Sequence, residues 1–316
     1  MILQDTFEHA FRQRLLDVIY AQWGELGAPF SDRRDWNDVI DPEALLWCSL
    51  EFLPTEPRLA ETVLEWFRTN KEYFVRQRVY KLLSPNDPRR TLWHALDARA
   101  QSPKNELELP SEPSHGLASP TEVLQFAESI QEKSSGKYQG PKRLGHIASG
   151  SATILLKARD LLGHDIRHFL LVYLLANPGG GRLKTIQAWS GHSYRGLSEA
   201  AVRWETGKIV TLESGYCQLI AAEPFRALLH LKSEKIVLVN WLTLFDICVR
   251  LLRDLAKARQ KNFDAKSTVV RTLQREASEK LNSYLPNSEK EDSAVGYLLR
   301  CFPQDAHAPY KTIIPR

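Results

Sequence analysis

The chain has 316 residues, of which 43% are hydrophobic and 25% charged, with a net charge of +4. That size suggests two or three domains with ordinary buried cores, and the composition excludes a disordered or collagen-like chain. No two of Cys48, Cys217, Cys248 and Cys301 stand close enough for a CxxC pair, which argues against a cysteine zinc site and a disulfide framework.

The opening stretch MILQDTFEHAFRQRLL breaks its apolar pattern with acids, unlike an export signal. One apolar run, 236-IVLVNWLTLFDICV-249, is too short for a bilayer span and carries Asn240 and Asp246. It reads as a buried core or dimer-interface helix. A cytoplasmic protein without membrane contact, cofactor or metal is the expectation. Charge is uneven: residues 1–60 hold 11 Asp/Glu against 5 Lys/Arg, whereas residues 137–210 hold 11 Lys/Arg against 4 Asp/Glu. An acidic front and a basic middle direct any polyanion to the middle.

Residues 1–100 read as an N-terminal helical domain. Phe7, Phe11, Leu15, Val18 and Ile19 recur at helical steps, as do Leu59, Val63, Leu64 and Phe67. Asp41-Pro42 predicts a helix start, with Asp as cap and Pro at the first helical position. Residues 101–150 read as a linker with a short helix at 121–133, because 101-QSPKNELELPSEPSHGLASP-120 has four prolines and no periodicity.

Residues 151–230 carry the pattern with a functional direction. A first helix runs from Asp165 to Ala176, with Phe169, Leu170, Tyr173 and Leu174 inward. Asn177-Pro178-Gly179 stops it, and the glycine run that follows reads as a flexible connector. A second helix spans Leu183 to Ser190. Gly191 sits where a sharp corner wants a left-handed residue. Ser193 caps a third helix whose inner face is Leu197, Ala200, Ala201 and Trp204. Ala188 is read as permitting close helix approach, and Gly196 as letting the third helix approach DNA closely. In 209-IVTLESGYCQLIA-221, β-branched and aromatic residues flank Ser214-Gly215, a hairpin signal.

Helix, helix, turn, helix and hairpin in that order predict a winged helix-turn-helix. The fold class expected is therefore mainly α, with helical N- and C-terminal regions (the latter 231–316) around that central domain. A recognition helix brings its N-terminal residues to base edges in the major groove. The residues in place to do so are Tyr194, Arg195 and Ser198, and arginine can grip guanine with two hydrogen bonds. Arg182, Lys184, Ser193, Arg203 and Lys208 are the phosphate candidates. Glu199 and Glu213 stand against a purely electrostatic attraction.

Weaker signals receive ordinary readings. His164 and His168 have i, i+4 spacing but lack the HExxH glutamate, so surface or partly buried histidines are the default. Cys48 and Cys217 read as core thiols. In 250-RLLRDLAKARQK-261, Leu251, Leu252 and Leu255 face inward while Arg253, Lys257 and Lys261 form a solvated face; a second DNA-backbone contact is the sharper alternative. No catalytic motif is found.

The stretches 41-DPEALLWCSLEFLPTEPRLAETVLEWF-67 and 154-ILLKARDLLGHDIRHFLLVYLL-175, followed by GHSYRGL, resemble bacterial winged-helix regulator or antitoxin proteins. These are associated with nucleotidyltransferase-type abortive-infection toxins. The resemblance implies a DNA-binding transcriptional regulator of a toxin–antitoxin or phage-defence locus, with double-stranded DNA, a second copy of the chain and such a toxin as partners. His192 departs from the group, which more often has an apolar residue there. The competing expectation is a protein-interaction module that binds a partner enzyme and uses the winged helix as scaffold. An enzyme with a site assembled from scattered residues comes third.

Overall fold

The computed structural model of the chain describes residues 2–30, 38–101, 118–132, 151–231, 236–261, 268–283 and 293–302. Most of the proline-rich linker at 101–120, and most of the glycine-bearing connector after residue 133, lie outside the described residues. The protein is mainly α-helical, with one small sheet among the described residues.

The N-terminal part comprises α1 (Ile2–Glu25), α2 (Pro42–Ser49), α3 (Pro57–Asn70), α4 (Arg76–Leu82), α5 (Pro88–Gln101) and α6 (Pro120–Glu132). The start of α2 is the one its sequence signals. Asp41 is extended and accepts the Ala44 N–H at 3.1 Å, and Pro42 occupies the first helical position. Every residue of α2 is buried, so it forms the axis around which this part packs. Two of the indole N–H groups buried there find partners: Trp23 donates to Ser49 Oγ at 3.0 Å and Trp66 to the Leu26 carbonyl at 2.6 Å.

The central part comprises α7 (Ile154–Leu162), α8 (Arg167–Ala176), β1 (Gly181–Arg182), α9 (Leu183–Ser190), α10 (Tyr194–Thr206), β2 (Val210–Glu213), β3 (Tyr216–Leu219) and α11 (Glu223–Leu228). The C-terminal part comprises α12 (Trp241–Gln260), α13 (Thr268–Asn282) and α14 (Ala294–Leu299). The apolar run read as a buried helix becomes the approach to α12 and its first half, with Trp241, Leu244, Phe245, Cys248 and Val249 buried.

Two hydrophobic cores organise these elements. One joins the N- and C-terminal helices, from Phe11, Leu45 and Trp93 to Phe245, Leu281 and Leu298. The other fills the central part with Phe169, Leu170, Ile186, Leu197, Trp204, Cys217 and Leu219. Helix α7 serves both: Leu156 enters the first core, Leu155 and Ala158 the second.

The sheet is antiparallel throughout, in the order β1-β3-β2. Glu213 pairs with Tyr216, leaving Ser214 and Gly215 as a two-residue turn with φ of 48° and 77°. Two positive φ values define the hairpin turn that matches strand twist. In β3, Tyr216 and Gln218 face out while Cys217 and Leu219 face in, the alternation of a half-buried strand.

The glycine run 179–181 is not the loose connector its composition suggests. Gly181 pairs with Cys217 and Arg182 with Tyr216. A Cβ on Gly180 would lie 2.5 Å from the Cys217 carbonyl, and one on Gly181 2.6 Å from the Tyr173 ring. Glycine is needed there so that β1 can reach both neighbours.

Helix α8 starts at Arg167 rather than Asp165. Asp165 still accepts the Arg167 backbone N–H, at 2.8 Å. His168 corrects the default reading for histidines. It is fully buried, and its Nε2 accepts from Arg159 Nε at 3.1 Å. His164 is exposed. The basic face of α12 is partly spent within the fold. Arg253 bonds Glu51, and Arg259 lies 3.5 Å from Glu8, so the acidic front and this basic run meet.

Candidate nucleic-acid interface

Helix α10 is amphipathic by construction. Leu197, Ala200, Ala201 and Trp204 are buried against the central core. The opposite face presents Tyr194, Arg195, Glu199, Val202 and Arg203 to solvent, with Ser198 half-buried. Ser193 caps the helix as its sequence signals: it is extended, and its Oγ accepts the Gly196 N–H at 3.2 Å. The hydroxyl proton remains available to an external acceptor.

The corner before α10 is equally local in origin. Gly191 has φ of 70° and ends α9 by donating its N–H to the Gln187 carbonyl at 2.9 Å. The two other small residues act differently from their sequence reading. Ala188 is exposed, and its carbonyl accepts from Asn240 Nδ2 at 3.0 Å. A Cβ on Gly196 would meet Ser193 Oγ at 3.2 Å and Ile166 Cδ1 at 3.4 Å, so its small size serves the cap and the packing rather than an approach to DNA.

The candidate residues fall into two groups. Leu183 donates its N–H to the Gly215 carbonyl at 2.9 Å, and a Cβ on Gly215 would lie 3.5 Å from the Tyr194 hydroxyl. Arg182 and Lys184, which flank Leu183, therefore share one side with Tyr194 and the hairpin turn. Arg203 and Lys208 lie toward the other end of α10. Eight residues separate Arg195 from Arg203, about 12 Å along the axis. Arg182, Lys184 and Lys208 make no ion pair among the described residues and are exposed. Lys208 adopts φ of 56° just beyond the helix end.

Arg195 is not a bare cation. Its Nε donates to Glu199 Oε1 at 2.8 Å, one helical turn on. The bond to Arg195 and the nearby Arg203 hold the Glu199 carboxyl below its ordinary range. Tyr216 is also pinned: its hydroxyl donates to the Gly179 carbonyl at 2.8 Å.

A buried ionic cluster behind the α9–α10 corner has no counterpart in the sequence reading. Arg78 of α4 binds Asp41 and, at 2.8 Å, Glu43. Arg159 of α7 binds both Glu43 oxygens, at 2.7 and 2.9 Å. Arg78 Nη2 also donates to the Ser190 carbonyl at 3.1 Å, and its guanidinium lies over the Phe169 ring at 4.8 Å. Burial alone would raise the Glu43 pKa, but Arg159 and Arg78 outweigh it and lower it to about 2. Burial and the adjacent Arg78 lower the His192 pKa to about 4. From the other flank, Trp189 donates to the Val239 carbonyl at 3.1 Å, and Leu242 stands 3.3 Å from where a Cβ on Gly191 would be. The corner that aims α10 is held by both flanking regions.

No helix among the described residues is long and apolar enough to cross a membrane. Among those residues no group of three or more His, Cys, Asp or Glu is placed to hold a metal ion. Cys48 and Cys217 are buried, and burial pushes the Cys217 thiol up to about 11. The chain matches no protein-family model, no curated protein and no solved structure.

Proposed function

We propose that residues 151–230 form a winged helix-turn-helix, and that the protein is a DNA-binding transcriptional regulator reading the major groove with α10. The observation that carries this reading is the two-sidedness of α10. One face is committed to the core, while the face beginning at the Ser193 cap offers Tyr194 and Arg195 to solvent, with Ser198 half-buried beside them. The element order, helix–strand–helix–helix–strand–strand with sheet order β1-β3-β2, suits such a module. Arg182, Lys184, Ser193, Arg203 and Lys208 are the phosphate contacts in this account. One recognition helix covers few base pairs, so a homodimer on paired half-sites is part of it. The regulated locus, on the resemblance, is a toxin–antitoxin or phage-defence locus, and the setting is the cytoplasm. The protein has no catalytic role in this account.

The test is a fluorescence-anisotropy titration of the DNA upstream of its own gene against an unrelated duplex, at two salt concentrations. The regulator reading expects preference for the former and affinity falling steeply with salt, because phosphate contacts release counterions. Equal binding to both duplexes would remove the regulator reading.

A second reading has its own observation. Val202, Ile220 and Leu228 are 48%, 55% and 59% exposed, a feature that suits a protein partner better than DNA. In that reading the module docks a toxin-like enzyme. Co-purification with a neighbouring gene's product, without DNA retardation, is its signature.

A further inference from the structure

Most exposed arginines with a free guanidinium sample many rotamers, and ordering one at an interface costs affinity. Arg195 is different. Its side chain is 90% exposed, yet Glu199 holds it through Nε at 2.8 Å. That bond engages Nε and leaves the end-on pair of N–H groups, one on Nη1 and one on Nη2, without a partner among the described residues. Two donors side by side are what guanine O6 and N7 require. The geometry also lies at the helix start, where a recognition helix meets base edges. Arg203 flanks Glu199 one turn further on, so the carboxylate sits between two cations on the exposed face.

We propose that Glu199 is a positioning residue for base readout: it holds Arg195 in the pose that grips guanine, and its own charge discourages binding to phosphates at large. The proposal rests on the reading of α10 as the DNA-reading helix and deepens it. It assigns to Glu199 a role in specificity, although its charge opposes affinity. Nonspecific binding is mostly phosphate attraction, so a carboxylate on this face lowers it for every sequence. A guanine contact made by an arginine that is already ordered loses less on binding.

The experiment is selection from a pool of randomised duplex DNA by four proteins: wild type, Arg195→Ala, Glu199→Ala and Glu199→Gln. Wild type is expected to enrich guanine at one defined position per half-site, and Arg195→Ala to lose that enrichment. Glu199→Ala should lower guanine preference about two- to tenfold, the range set by ordering one long side chain. It should also bind unrelated duplex more tightly. Glu199→Gln keeps an acceptor for Nε and should retain most of the preference while also binding unrelated duplex more tightly. A merely helix-stabilising pair would change melting temperature and leave base preference alone. If Arg195→Ala abolishes guanine enrichment and Glu199→Ala does not change it, the positioning role is overturned while the DNA-reading helix stands. If wild type enriches no sequence, both fail.

Discussion

Arg78 of α4 donates to the carbonyl of Ser190, the last residue of α9, at 3.1 Å. The two residues are 112 positions apart, and the bond ties the N-terminal part to the corner from which α10 departs. The same guanidinium binds Asp41 and Glu43, so an electrostatic cluster and the α9–α10 corner share one side chain. Buried charges of this kind add little net stability, because desolvation offsets much of their attraction, but losing one partner of the set is costly.

Removing Arg78 leaves Asp41 without its guanidinium in a buried site. Arg78→Met is expected to cost about 3–5 kcal/mol, the range for breaking a buried pair on one side. Urea unfolding measures this. Hydrogen exchange adds the distinguishing signal: amides at 190–193 should exchange faster in the variant even under conditions where it stays folded. Arg78→Lys should recover little, because one ammonium cannot span Asp41, Glu43 and the Ser190 carbonyl together. A variant that unfolds at the wild-type urea concentration would show that the cluster is idle.

Acid should loosen the same corner. The His192 pKa lies at about 4 in the folded chain, lowered by burial and by Arg78, against an ordinary 6.5. As pH falls below 6.5 the unfolded chain takes up that proton first, so stability is full above 6.5 and declines toward 4, by about 3 kcal/mol at most. Glu43, lowered from 4.5 to about 2, extends the loss in the same direction below pH 4.5. His192→Phe should flatten the upper part of this profile. The Nε2 of His192 has no hydrogen-bond partner among the described residues, and its ring already packs on Phe169 at 4.7 Å. Thermal melts between pH 7 and pH 5 decide it: equal slopes in wild type and variant would contradict the assignment.

Gly191→Ala tests the corner by backbone alone. At φ of 70° an L-residue costs about 1–2 kcal/mol, and the added methyl would stand 3.3 Å from Leu242. A fall in melting temperature with unchanged far-ultraviolet helix signal is expected. Unchanged stability would mean that the corner relaxes freely and that the flanking regions do not hold it.

How much of this was legible in the sequence depends on how local each feature is. Ser193 as cap, Gly191 as corner and Ser214-Gly215 as hairpin turn are set by residues within a few positions of one another, and all three stand where the sequence places them. The alternation that buries Leu197, Ala200, Ala201 and Trp204 is equally local. Strand β1 was not legible. Two residues carry no period, and they become a strand only because Cys217 and Tyr216 arrive beside them. The cluster of Asp41, Glu43, Arg78, Arg159 and His168 joins four separate segments, and nothing within any one of them points to the others: Asp41 reads as a helix cap and His168 as an ordinary histidine. Its one local hint was an acidic pair, Asp41 and Glu43, at the mouth of a strongly apolar helix. The pairing of Arg195 with Glu199 was available from i, i+4 spacing, but read only as a charge that weakens attraction to DNA.

In the proposed DNA-reading role, the exposed cations around α10 meet DNA phosphates. The most direct measurement is the dependence of duplex affinity on salt, for wild type and for a variant with Arg182, Lys184, Arg203 and Lys208 all changed to Gln. Each phosphate contact contributes a slope of about −0.9 in log affinity against log salt. The variant's slope is expected to be shallower by roughly three to four units. A variant with the wild-type slope would contradict it, and would place any DNA contact elsewhere on the protein.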